Sequence, residues 1–120
     1  MSKPITIYTV SAFDDEHNCG YDRCVIGSYR TLERAAEECA NYIIGRINLN
    51  WSVASAAAND ENHPEAAQFL EKTSDGDYAI PDPIAFRHFL LDELSGARCY
   101  YIWDGEDSYH FDIDENDLVD

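Results

Sequence analysis

The chain reads as an α+β domain: an antiparallel sheet made of an N-terminal and a C-terminal β-hairpin, with two to four helices packed on one face. Three observations predict this. β-Branched and aromatic segments stand at both ends of the sequence, segments with apolar residues three and four apart fill the middle, and single strands do not alternate with helices as a parallel sheet requires. A length of 120 residues predicts one domain over 1–120, since domains cluster at roughly 100–150 residues. Eight Tyr, five Phe and two Trp supply the large apolar area that a disordered acidic chain lacks.

Each element has its own signal. Pro4 to Phe13, with Ile5, Ile7, Tyr8 and Val10, predicts a strand, Asp14 to Gly20 a polar loop, and Tyr21 to Tyr29 the returning strand. Thr31 is placed to cap a helix carrying Leu32, Ala35, Ala36, Cys39, Ile43 and Ile47 on one face. Whether that helix stops near Gly45 or runs on through Trp51 and Ala56-Ala57-Ala58 is open at this level. After a polar break from Asn59 to His63, Pro64 suits the first position of a short helix with Ala67, Phe69 and Leu70, and Ser74 to Asp77 reads as a turn. Asp82-Pro83 starts a further helix with a stripe of Phe86, Phe89, Leu90 and Leu94, and Gly96 is the expected left-handed terminator. Ala97 to Trp103 and Ser108 to Ile113 flank the turn signal Asp104-Gly105, and Tyr109, Phe111 and Ile113 alternate with polar residues as in a strand buried on one face.

Charge narrows the function. Eight Lys and Arg against 24 Asp and Glu give a net charge of −16, which opposes a phosphate backbone or an anionic membrane surface. No direct nucleic-acid partner and no membrane partner are expected, and no apolar run approaches the roughly 20 residues of a membrane span. Ser2 to Thr6 lacks the pattern of a signal peptide, so the expected location is the cytoplasm. There the four cysteines are reduced; Cys39 and Cys99 lie in apolar-patterned segments and behave as small hydrophobes, whereas Cys19 and Cys24 could face each other across the first hairpin.

The signatures of an enzyme are missing. There is no Gly-x-Ser-x-Gly, no Gly-rich phosphate loop and no cysteine in a recognisable catalytic signature, and His17, His63, His88 and His110 are dispersed. His88 reads as a helix-surface residue. No cofactor is expected. For metals, His17, Cys19 and Cys24 fall one ligand short of a structural zinc site. Asp112-x-Asp114-x-Asn116 begins like a calcium loop, but Asp117 stands where glycine is needed. A weak divalent-cation site among Asp112, Asp114, Glu115, Asp117 and Asp120, in a loop-like tail, is one alternative function. A general adaptor whose acidity serves solubility is another.

The acids themselves are unevenly placed. Asp104, Glu106, Asp107, Asp112, Asp114, Glu115, Asp117 and Asp120 crowd the last segment with no Lys or Arg among them, and Asp14-Asp15-Glu16 forms a second knot on the first hairpin's loop. Same-face residues of a strand stand about 6.6 Å apart, close to two base steps of DNA at about 3.4 Å each. Tyr100, Tyr101, Trp103 and Tyr109 share this hairpin, and aromatic anchors ringed by charge suit a protein-binding surface. A register that turns Tyr101 and Trp103 inward leaves Tyr100 exposed beside the acids. The expected contact set is therefore Asp14, Asp15, Glu16, Tyr100, Asp104, Glu106, Asp107, Asp112, Asp114, Glu115 and Asp117.

In size, acidity, α+β build and lack of catalytic signatures the chain resembles the small acidic inhibitors of phages and mobile elements: anti-CRISPR proteins, anti-restriction DNA mimics and uracil-DNA glycosylase inhibitors. These share no diagnostic motif, so the resemblance transfers no individual residue. It implies a non-enzymatic inhibitor that occupies a basic, nucleic-acid-binding surface on a partner protein such as a nuclease.

Overall fold

The sheet joins the two ends of the chain. The computed structural model describes residues 5–15 and 22–118. Strands β1 (Ile5–Asp15), β2 (Asp22–Tyr29), β5 (Cys99–Trp103) and β6 (Ser108–Leu118) form one antiparallel sheet in the order β2-β1-β6-β5. The two hairpins are thus one sheet, because β1 and β6 pair along their full length, from Ile5 opposite Leu118 to Asp15 opposite Ser108. Two corrections follow. Asp14 and Asp15 continue β1 rather than opening a loop, and the acidic C-terminal segment is a strand through Leu118 rather than a tail.

Between the hairpins come α1 (Leu32–Leu49), α2 (Trp51–Ala58), a 3-10 helix (Pro64–Phe69), the short strands β3 (Glu71–Lys72) and β4 (Tyr78–Ala79), and α3 (Pro83–Ala97). Thr31 caps α1 by accepting from the Arg34 N–H at 3.1 Å, which satisfies one of the free amides of a helix start. Asn50 settles where α1 stops. Its backbone is extended, its own N–H donates to the Arg46 carbonyl, and its side-chain oxygen accepts from the N–H groups of Ser52 and Val53. One residue therefore ends the first helix and starts the next.

Asp82 caps α3 by accepting from the Ala85 N–H at 3.1 Å, with Pro83 in the first turn. The terminator is not Gly96 but Arg98, in the left-handed conformation at φ 59°. A left-handed residue with a side chain costs about 1 kcal/mol. Against that cost, the Arg98 N–H reaches the Leu94 carbonyl at 2.9 Å and its carbonyl takes the Ile113 N–H at 2.9 Å. The guanidinium meets Glu115 at 3.0 Å.

The core lies between the helices and one face of the sheet. Val10, Ala12, Tyr100, Ile102, Tyr109, Phe111 and Ile113 face Ala35, Ala36, Cys39, Ala40, Ile43 and Ile47 of α1, Val53, Ala54, Ala56 and Ala57 of α2, and Phe86, Leu90 and Leu94 of α3. The ring pairs Tyr42–Phe111 and Phe89–Tyr100 join helices to sheet. Burying each of the large side chains contributes about 1.5–3 kcal/mol relative to exposure. Next to Val10 the register with β2 shifts, forming a bulge beside Gly27. A Cβ on Gly27 would lie 2.5 Å from the Tyr29 hydroxyl oxygen, so glycine leaves room for that ring.

Candidate interaction surface

The outer face of the sheet carries no helix among the described residues. On β5, Tyr100 and Ile102 are buried while Tyr101 and Trp103 are 39% and 38% exposed. On β6, His110, Asp112 and Asp114 share this outer face, opposite Phe13, Ser11 and Thr9 of β1. Tyr101 is held in place on two sides. Its ring stacks on His110 at 4.1 Å and its hydroxyl donates to Asp112 Oδ1 at 3.1 Å. Partial burial, then the charge and hydrogen bond of Asp112, push that hydroxyl above the usual tyrosine range, and Asp114 adds to the effect. At the other side of the face, Arg23 donates to Ser11 Oγ at 3.2 Å and lies 5.9 Å from the centre of the Phe13 ring.

The acids divide by strand periodicity. Asp112 and Asp114 face outward, whereas Glu115 stands opposite Tyr8 and Asp117 opposite Thr6 on the other face. Glu115 pairs with Arg98, and Asp117 accepts from the Thr6 hydroxyl at 3.1 Å. Asp104 is committed to the turn, where Oδ1 accepts from the N–H groups of Glu106 at 2.9 Å and Asp107 at 2.7 Å while Gly105 takes φ +99°. Glu106 is exposed. The side chains of Asp14 and Asp15, the whole of Glu16, His17 and Cys19, and Asp120 lie outside the described residues. Cys24 is exposed, and Cys99 is half-buried rather than a core thiol. Among the described residues no three His, Cys, Asp or Glu side chains are grouped to hold a metal ion.

Two expected contacts are corrected. Tyr100 is fully buried, and Asp107 is buried as well. Ile102 faces the core opposite Tyr109, and a period of two then turns Tyr100 inward opposite Phe111 and leaves Tyr101 and Trp103 outside. The aliphatic residue of β5 was the signal that decides this register.

A buried polar cluster at the free edge of β5 escaped the sequence patterns. The fully buried Asp60 carboxylate accepts through Oδ1 from the Asn62 N–H at 2.9 Å and the Trp103 N–H at 3.1 Å, and its Oδ2 lies 2.8 Å from His63 Nδ1. The Glu61 N–H donates to the Trp103 carbonyl at 2.8 Å, and the Asn62 side chain donates to the Tyr101 carbonyl at 3.2 Å. These bonds cover a strand edge that would otherwise offer itself for pairing. His63 also stacks on Tyr100 at 4.2 Å, with Nε2 3.9 Å from Glu93. The Tyr100 hydroxyl is driven well above its ordinary range by burial and by the charges of Asp60, Glu93 and Glu65, so it stays protonated near neutral pH. Asp60 spends its acceptors on two main-chain amides and one imidazole, an arrangement that fixes the end of β5 and with it Trp103. The sequence signal was an Asx-type turn, Asp60-Glu61-Asn62, just before Pro64.

Comparison with protein-family models, with curated proteins and with solved structures finds no match. The four-stranded sheet with its helices establishes the α+β class. No helix among the described residues is long and apolar enough to cross a membrane.

Proposed function

We propose that this chain is a non-enzymatic, cytoplasmic binding protein that inhibits a partner by occupying its basic, nucleic-acid-binding surface. One observation carries the reading: Asp112 and Asp114 stand on the helix-free face of the sheet, Asp112 bonded to the exposed Tyr101 and with Trp103 farther along the same face opposite Ser108, and no Lys or Arg is paired to either acid among the described residues. Desolvated aromatic anchors supply affinity, and unpaired charge of one sign steers a partner of the other sign. The net charge of −16 works in the same direction over longer range.

The test is capture from a bacterial lysate on the immobilised chain at low and then moderate salt, followed by competition between the chain and DNA or RNA for each captured protein. Release by salt of a nucleic-acid-binding protein, and loss of its nucleic-acid binding when the chain is added, is the expected result. A captured partner that keeps its nucleic acid, or that resists salt, would point to the adaptor reading instead.

A further inference from the structure

The structure already holds one arginine between a tyrosine and a carboxylate of this sheet. On the helix side of the sheet, Tyr8 and Glu115 stand directly opposite each other on β1 and β6. The Arg98 guanidinium is 5.9 Å from the Tyr8 ring centre and 3.0 Å from Glu115 Oε1. Planar guanidinium stacks on aromatic rings and bonds carboxylates in a way that the compact, strongly hydrated lysine ammonium does not.

Around Tyr101 the outer face repeats the ring and the carboxylates, with no Lys or Arg paired to Asp112 or Asp114 among the described residues. Tyr101 is fixed by His110 and Asp112, and Asp112 and Asp114 are neighbours on the same side of β6, while Trp103 lies at the far end of the pairing opposite Ser108. The ring of Tyr101 does not have to be ordered on binding, because the stack and the hydrogen bond already hold it. Across the same face, Arg23 lies over Phe13 and bonds Ser11. A guanidinium is therefore accommodated on this surface already, two strands away.

Resting on the reading above, we propose that the outer face around Tyr101, Asp112 and Asp114 is a docking site for an arginine side chain of the basic partner. The ring of Tyr101 supplies the stacking surface and the two aspartates supply the acceptors. Arginine is selected over lysine because both contacts use its plane. The partner element is one that presents arginine to phosphate in its own function, so the bound chain and nucleic acid exclude each other.

The test uses the whole chain with hexa-arginine and hexa-lysine peptides as probes, followed by amide chemical-shift mapping. Arginine peptide binding about fivefold or more tighter than lysine peptide, with shifts centred on Tyr101, Asp112 and Asp114, is expected. The D112N/D114N pair should weaken the arginine peptide at least as much, while the equally charge-reducing pair E33Q/D75N leaves the preference intact. The shift map on the unsubstituted chain decides the matter even if a variant folds poorly. Equal affinity for both peptides, or shifts spread over the acidic helix surfaces, would overturn the arginine site and leave the broader basic-partner reading standing. No binding of either peptide at low salt would overturn both.

Discussion

The carboxylate of Asp60 accepts the main-chain N–H of Trp103 at 3.1 Å, tying the loop after α2 to the last residue of β5. Asp60 also holds the Asn62 amide and the His63 ring, and it is fully buried. Removing a buried acceptor of several donors leaves each of them unsatisfied. Asp60→Ala should therefore lower the unfolding free energy by about 3 kcal/mol or more, since breaking buried charged networks costs about 3–5 kcal/mol. Urea denaturation measures it, and a loss under about 1 kcal/mol would mean that the latch does not hold the strand.

Gly27 and Tyr29 make a second pair that can be separated experimentally. They point to the same side of β2, and an added Cβ at residue 27 meets the Tyr29 hydroxyl oxygen at 2.5 Å and Cζ at 2.9 Å. The hydroxyl end can swing, but the ring then leaves the edge of the core against which it packs. Gly27→Ala should destabilise by about 1–3 kcal/mol, as overpacking does. In the presence of Tyr29→Ala the same change should cost nearly nothing, and a double-mutant cycle with purely additive effects would show that the two residues do not meet.

Much of the architecture was legible because local chemistry and global packing agree. Thr31, Asp82 and Pro83 start helices where their side chains and ring predict, and the stripes of α1 and α3 are the ones buried. Asn50 was opaque, because an Asn within an apolar-patterned run looks like a surface helical residue until its backbone is seen to be extended. Gly96 misled for the opposite reason: glycine is the usual left-handed residue, yet the hydrogen bond from Ile113 to the Arg98 carbonyl selects the position two residues on. At the candidate site the acids of β6 were visible and their division between two faces was not, since that needs the true length of the strand. The choice of Tyr100 over Tyr101 came from one register step, which in a sheet reverses every side chain.

The Cys39 thiol makes stability depend on alkaline pH. Burial, with a smaller contribution from the charge of Asp112, pushes it from an ordinary value of 9.0 up to about 12. Below pH 9 the thiol is protonated in both folded and unfolded chains, and stability is fully present. Between about pH 9 and 12 the unfolded thiol ionises while the folded one does not, so stability falls by about 1.4 kcal/mol per pH unit, on the order of 4 kcal/mol in all. Tyr29, Tyr100 and Tyr101, all raised, act with the same sign. Denaturation of Cys39→Ala should show a shallower loss from pH 9 to 11, and a slope equal to that of the original chain would contradict the assignment. In the same samples at pH 8, a thiol reagent followed by peptide mapping should modify exposed Cys24 and spare Cys39 until the chain unfolds.

Salt should stabilise this fold, and the reason can be tested at one residue. Asp112 and Asp114 lie on one side of β6 at a same-face spacing of about 6.6 Å. At that separation two like charges in water repel by about 0.6 kcal/mol, and the repulsion is screened only when the Debye length shrinks from about 30 Å at 0.01 M to about 10 Å at 0.1 M. Asp114 is exposed, has no cation paired to it among the described residues, and faces Thr9 across the ladder, so neutralising it removes repulsion and little else. Asp114→Asn should therefore raise stability at about 0.01 M salt by a few tenths of a kcal/mol, and that gain should vanish above about 0.5 M as screening takes over. The melting temperature of the unaltered chain should climb over the same range, because 24 acids against 8 bases repel one another throughout the molecule. A melting temperature that stays flat or falls, together with an Asp114→Asn gain that is independent of salt, would mean that the acids are offset locally by their partners. The outer face would then lack the unpaired charge on which partner steering depends.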